Sequence, residues 1–364
     1  MGGFRRSAGR PGILLLRVGR ALRRPGRFNN DNPGVLPLMT DQSSYVSSNP
    51  LEPQAAVLRG DGLGRTAKRL LLATRPMFFP ASVLPVLLGS CLGYRLSGAF
   101  EPWIFAVALV CVMCVHAGAN VLNDVFDELI GADGPNDRRI FPYTGGSRFI
   151  QNRVMSVREM GVWGVLLLLL GVVCGLLLLR ACGWPVLGFG LVGVALAVAY
   201  SMPPLQLSAH GVGELAVAVG FGVLPVSGAA WLQNTDVSAT VLLVSIPISL
   251  WVAAILLANE VPDAQADAAA GKRTLVVRMG ESGSAGLYLG LHALALAVQW
   301  LIWRHFDFAP WGLWVPALLL ATAVVAAAFM RRGEAGRRRG IEMTLAVHTV
   351  GALWLCGWLL WGGA

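Results

Sequence analysis

Two short stretches of this chain gather carboxylates and amides at helical spacing. The first reads Asn120-Val-Leu-Asn123-Asp124-Val-Phe-Asp127-Glu128, with Asp133, Asn136, Asp137, Arg138 and Arg139 just beyond. The second reads Asn259-Glu260-Val-Pro-Asp263-Ala-Gln-Ala-Asp267, followed by Gly271-Lys272-Arg273-Thr274. On a helix Asn120, Asn123/Asp124 and Asp127 stand at i, i+3/4 and i+7, and Asn259, Asp263 and Asp267 at i, i+4 and i+8, so each set shares one face. Carboxylates crowded together without counter-ions repel and resist ionising. Mg²⁺ resolves that conflict, because it takes oxygen ligands from one or two carboxylates, waters and the phosphates of a substrate. The neighbouring Arg138, Arg139, Arg148, Lys272 and Arg273 would then steady negative charge on a diphosphate. The chemistry this set suits is departure of a neutralised diphosphate from carbon.

Either stretch alone could be helix caps and solvated loop residues. Two stretches with the same Asn-x₃-Asp spacing (Asn123/Asp127 and Asn259/Asp263), each running into basic residues, are harder to dismiss that way. Glu128, Asp137 and Glu260 are read as solvated or supporting groups rather than ligands.

The elements that must carry these groups are membrane helices. Of 364 residues, 55% are hydrophobic and only 13% charged, where a soluble chain has about 25% charged. The mean hydropathy is +0.62. Nine apolar segments of roughly bilayer length are predicted at 77–98, 102–127, 160–181, 183–201, 211–232, 238–259, 283–303, 309–330 and 341–361, each needing about 20 residues to cross. Backbone in lipid must satisfy its own hydrogen bonds, so an all-α polytopic bundle follows. Links after the second, sixth and eighth segments carry thirteen Arg and Lys; those after the first, third and seventh carry Arg95, Arg180 and Arg304 only. That bias puts the N-terminus and both acidic stretches on the cytoplasmic side. The net charge of +9 comes from the N-terminal arm and these links and gives no reason to expect nucleic acid.

Residues 1–65 differ. The first thirty hold eight arginines and no acid; a Pro/Ser/Asn-rich stretch follows, and the segment reads as a disordered basic arm, outside the membrane domain of 66–364. The six cysteines form no framework, and Cys111-x-x-Cys114 reads as small apolar filler inside a span. His116, His292 and His348 also fall inside spans, where packing or interhelical hydrogen bonding is the usual role. A transporter would place acids at mid-membrane and show an internal repeat; here the acids sit at span ends.

At the two acidic stretches the sequence resembles the UbiA superfamily of intramembrane prenyltransferases, over roughly residues 68–361. Asn123-Asp124-x-x-Asp127 looks like the family's first aspartate motif, and Asp133, ten residues after Asn123, is similar to the spacing in the 1,4-dihydroxy-2-naphthoate polyprenyltransferases of menaquinone synthesis. Thr144-Gly145-Gly146-Ser147-Arg148 with Gln151, Arg75-Pro76 with Pro80-Ala81, and Asn259 through Leu275 look like that branch too. Tyr200-Ser201-Met-Pro203-Pro204-Leu205 and Gly211-Val-Gly213-Glu214 resemble the family's third cytoplasmic element, although Gln206 and His210 stand where many relatives have Lys or Arg. The resemblance implies nine helices around a cavity open to the cytoplasm and to lipid. One wall would carry Asn123, Asp124, Asp127 and Asp133, and the other Asn259, Asp263 and Asp267. Two Mg²⁺, held by Asp124, Asp127, Asp133, Asp263 and Asp267, would bind a polyprenyl diphosphate supplied from membrane lipid, with Arg75, Asn120 and Tyr200 as further substrate contacts. An aromatic acid would be the acceptor: dihydroxynaphthoate first, 4-hydroxybenzoate or homogentisate as alternatives. The setting implied is a bacterial inner membrane.

Overall fold

A computed structural model describes residues 50–130, 139–201, 204–233, 236–269 and 271–362. The described residues are helical with no strand among them. Two short helices, α1 (Ala55–Leu58) and α2 (Leu63–Ala73), precede the bundle. Then come α3 (Pro80–Ser97), α4 (Pro102–Ile130), α5 (Val157–Cys182) and α6 (Pro185–Ser201). The next span is composite: α7 (Gly213–Ala218), a π turn at Val219–Val223, and α8 (Leu224–Leu232). The bundle closes with α9 (Ala239–Ala269), α10 (Leu275–Phe306), α11 (Trp314–Met330) and α12 (Glu334–Trp361). Eight of these spans are long and apolar enough to cross a bilayer, and the Pro185–Tyr200 stretch is a shorter ninth. The nine expected segments are therefore present, one of them short.

Local signals set the helix ends. Pro80 opens α3, and Gly98 closes it in the left-handed region with φ 72°, a conformation glycine takes without a Cβ penalty. Ser156 and Glu159 form a reciprocal capping box at the start of α5. Thr274 caps α10 by accepting from the Val277 N–H. That helix breaks at Gly280 (φ 68°, ψ 179°), so its membrane-spanning part begins close to the expected residue 283.

The acid-bearing helices run further than hydropathy predicted. α9 has 31 residues, about 46 Å at 1.5 Å per residue, against a hydrocarbon core of about 30 Å. Its last three turns carry Asn259, Asp263 and Asp267 and remain helical, because backbone hydrogen bonding does not stop where apolar side chains do. α4 extends likewise to Ile130.

Close packing rests on small residues facing neighbouring helices. A Cβ on Gly89 of α3 would lie 2.3 Å from the Val226 carbonyl oxygen of α8, and one on Gly93 2.8 Å from that of Ala230. Gly351 of α12 receives the face of Trp251 of α9 in the same way, 2.4 Å from a ring carbon. Such small-residue seams are how helices approach in lipid, where burying more apolar surface gains little. The outside of the bundle is correspondingly apolar: Leu166, Leu169, Val172, Val173, Leu176 and Leu177 of α5 are all about half exposed. The protein is an integral, multi-pass membrane protein.

Residues 50–65, grouped above with the arm, are part of this folded body. They hold α1 and the start of α2, and Glu52 and Leu58 are 4% and 5% exposed. Residues 1–49 lie outside the described chain. All six cysteines are unpaired, and Cys111 donates to the Gly171 carbonyl.

Candidate active site at one end of the bundle

Successive spans alternate in direction, so the C-terminal ends of α4 and α9 emerge at the same end of the bundle. α4 presents its first acid deep in the protein: Asp124 is 3% exposed, with Oδ2 accepting from the Ser147 N–H at 3.1 Å. Its Oδ1 is buried and meets no donor. Asn123, at the exposed edge, donates to Asp127 Oδ2 at 2.7 Å. Asn120 is a strut: its amide donates to the Thr74 carbonyl, tying α4 to the end of α2.

The Ser147 N–H is aimed by a tight loop. Thr144 Oγ1 accepts from the Ile140 N–H at 2.8 Å, Gly145 and Gly146 take φ of 75° and 74°, and Arg148 is held at φ 61°. The two glycines reach that region freely, whereas for arginine it is strained, a condition that concentrates at functional sites. Arg148 is 7% exposed and lies in the electrostatic field of Asp124. Arg75, also left-handed at φ 57°, is the strongest charge felt by Asp124 and acts on Asp127 too. Its guanidinium donates to the Tyr143 carbonyl and lies 4.9 Å from the centre of the Phe78 ring.

The second motif faces the same space. Lys272 Nζ sits 3.1 Å from Asp267 Oδ1, and it is the strongest charge felt by Asp127, on the other motif. Burial works against the Lys272 ammonium, yet Asp267, Asp127 and Asp263 outweigh it and hold its pKa above the usual 10.5. One cation is thus shared by carboxylates more than a hundred residues apart in sequence. Tyr200 lies in the field of Glu260, Glu214, Asp267 and Asp127, between the two motifs.

Not every expected residue meets the cluster. Arg139 is paired with Glu52, its Nε and an NH₂ nitrogen 2.9 and 2.8 Å from Oε1, and Asn152 holds the other Glu52 oxygen at 3.2 Å. The Arg273 side chain is exposed, while its backbone N–H and C=O join Ala209 and Arg278. Asp133 and Arg138 lie outside the described residues. Glu128 receives the Gln151 amide at 3.0 Å.

Glu52 escaped sequence reasoning, and so did the meeting of Glu214 with Glu260. Glu52 pins the loop from 87 residues away, with no local signal. Glu214 of α7 and Glu260 of α9 lie in each other's electrostatic field, and each keeps one buried oxygen without a donor. The composite α7–α8 span, whose π turn hydropathy does not report, brings Glu214 there.

Does this set suit Mg²⁺? Among the described residues no three His, Cys, Asp or Glu side chains could hold one metal ion together. The donor types nonetheless fit an ion that takes one or two carboxylates and completes its shell from substrate phosphate and water. Asp124 Oδ1 and Asn259 Oδ1 are buried acceptors with nothing to accept from, an expensive state unless a cation or a donor arrives.

Comparison with known proteins agrees with the geometry. The model of the UbiA prenyltransferase family matches residues 82–347. A 2-carboxy-1,4-naphthoquinone phytyltransferase from Synechocystis is 30% identical over 73% of this chain and 81% of its own. A 1,4-dihydroxy-2-naphthoate octaprenyltransferase from Haemophilus influenzae is 28% identical over 65% and 75%. Among solved structures, a UbiA homologue from Archaeoglobus fulgidus bound to GPP and Mg²⁺ superimposes with a TM-score of 0.54 at 15% identity, covering 79% of this chain and 99% of that one. With a carboxylate of α4 and a second acidic helix sharing the Lys272 cation inside a bundle of membrane helices, this chain belongs to the UbiA prenyltransferase family and is a prenyltransferase.

Proposed function

We propose that the enzyme transfers a polyprenyl group from a polyprenyl diphosphate to 1,4-dihydroxy-2-naphthoate, a step of menaquinone synthesis, at the cytoplasmic face of a bacterial inner membrane. The observation that carries this is Lys272, which sits on Asp267 and dominates the field at Asp127. It marks where an anionic head group and its counter-ions converge. The naphthoate and naphthoquinone relatives support the choice of acceptor.

Asp124, Asp127, Asp133, Asp263 and Asp267 would hold Mg²⁺, with Asn123 and Asn259 lending amide oxygens. The metal, when bound, neutralises the diphosphate so that it leaves with the C1–O electron pair. Lys272 and Arg148 stabilise the departing charge, assisted by Arg75. The ring carbon that bears the carboxylate then joins the allylic carbon, and that carboxylate leaves as carbon dioxide, its C–C electron pair returning to the ring to restore aromaticity. The apolar bundle excludes water that would otherwise capture the cation.

Purified enzyme in lipid nanodiscs, given Mg²⁺, geranylgeranyl diphosphate and dihydroxynaphthoate, is expected to form the prenylated, decarboxylated ring. Asp127→Ala and Asp263→Ala are expected to abolish it while still inserting in membranes. Wild-type turnover in either variant would refute these roles; turnover of 4-hydroxybenzoate or homogentisate alone would move the acceptor.

A further inference from the structure

His116 lies on the same face of α4 as Asn120, Asp124 and Asp127, eight residues before Asp124, about 12 Å deeper along the helix axis. It is 7% exposed. Arg75 acts electrostatically on both His116 and Asp124, so the imidazole lies directly beneath the acidic end rather than in a separate part of the core.

The surroundings of this ring fix its tautomer. Its Nδ1 is 2.7 Å from Ser82 Oγ on α3, and Ser82 is itself 1% exposed. The Ser82 hydroxyl has no other side-chain hydrogen bond among the described residues, so its proton must go to Nδ1; the reverse arrangement would bury an unsatisfied hydroxyl at roughly 1–3 kcal/mol. Nδ1 is therefore the acceptor, and Nε2 carries the hydrogen. Nε2 meets no hydrogen-bond partner among the described residues. An N–H donor on the acid-bearing face of α4 is therefore left without a partner among the described residues.

Two phenyl rings pack against the imidazole. Phe221 stands edge-on to the imidazole at 5.0 Å and Phe79 at 5.9 Å. Phe221 belongs to the π turn of the composite span, where Gly222 presses so closely on Ser249 that a Cβ there would collide with it. π turns recur at functional sites because the extra residue re-aims a side chain, and here one of the re-aimed residues meets His116.

An isoprenoid chain offers no oxygen to an N–H group, and the diphosphate belongs with the cations above. The remaining reactant is flat, aromatic and bears oxygens. We propose that His116 is an acceptor-binding residue: its Nε2–H donates to a ring oxygen of the aromatic substrate, between Phe79 and Phe221, and so selects which ring carbon faces the allylic C1. This rests on the prenyl-transfer reading given above.

The test is steady-state kinetics of full-length enzyme in nanodiscs with geranylgeranyl diphosphate and 1,4-dihydroxy-2-naphthoate. His116→Phe, which keeps a ring but loses the donor, is expected to raise KM for the naphthoate about 10-fold with KM for the diphosphate unchanged. His116→Gln, which restores an N–H, should recover part of that loss, and Ser82→Ala, which frees the tautomer, should show a smaller rise. If His116→Phe does not fold, the Gln and Ala variants decide the matter. An unchanged naphthoate KM, or an equal rise in both KM values, overturns the inference. Wild-type enzyme that prenylates no aromatic acid overturns the reading beneath it instead.

Discussion

At the scale of single residues, the site is a balance of charge around Lys272. Lys272→Gln should leave Asp127 and Asp267 facing each other across the site. Loss of one preorganised donor to developing negative charge is expected to lower kcat/KM on the order of 10²-fold, readable as product formed per minute at subsaturating diphosphate. The same residue gives a pH signature. Its folded pKa is raised above the ordinary 10.5, so the stability it adds is fully present below that value and drains away as pH climbs through the higher folded pKa. Alkaline unfolding above about pH 10.5 should therefore be steeper in the wild type than in Lys272→Gln, as followed by tryptophan fluorescence. The acids themselves were legible in sequence, because ionisable groups at the ends of apolar spans stand out against their background. Glu52 was not. Its partners Arg139 and Asn152 are 87 and 100 residues away, and an isolated glutamate in a polar stretch carries no mark of burial. His116 was visible only as a histidine inside an apolar run; its orientation needed Ser82 and Phe221, both supplied by other helices.

At the scale of elements, hydropathy located all nine spans and misjudged where the functional ones end. The apolar pattern of α9 stops near residue 259, while its hydrogen-bonded ladder continues to Ala269, and the extra turns are the site. The composite α7–α8 span was legible as apolar length but not as a helix with a π turn, since periodicity does not report one inserted residue. These elements are held by glycine seams that tolerate no enlargement. Gly89→Ala should force α3 from the Val226 carbonyl of α8, destabilising the protein by about 1–3 kcal/mol and lowering its thermal midpoint in detergent. Gly175→Ala on α5 is the control: nothing lies within 4 Å of the added carbon, and the midpoint should hold or rise. Equal midpoints in both variants would show that the α3–α8 seam is looser than described.

At the scale of the whole molecule, the two ends of the bundle differ in kind. The acids and most of the arginines lie at one end. Trp103, Trp184, Trp311, Trp314 and Trp361, all more than half exposed, mark helix termini at the other, as interfacial tryptophans do. This asymmetry predicts the orientation experiment. In intact cells a membrane-impermeant maleimide should label Asp307→Cys at the tryptophan end and spare Arg337→Cys at the acidic end; the opposite pattern would place the chemistry outside the cell. One consequence reaches beyond enzymology, to anyone trimming the gene. Because Glu52 grips Arg139 and Asn152, a version opening at Leu63 would encode every transmembrane segment and still weaken its hold on the lipid donor, while one opening at Pro50 should match the parent.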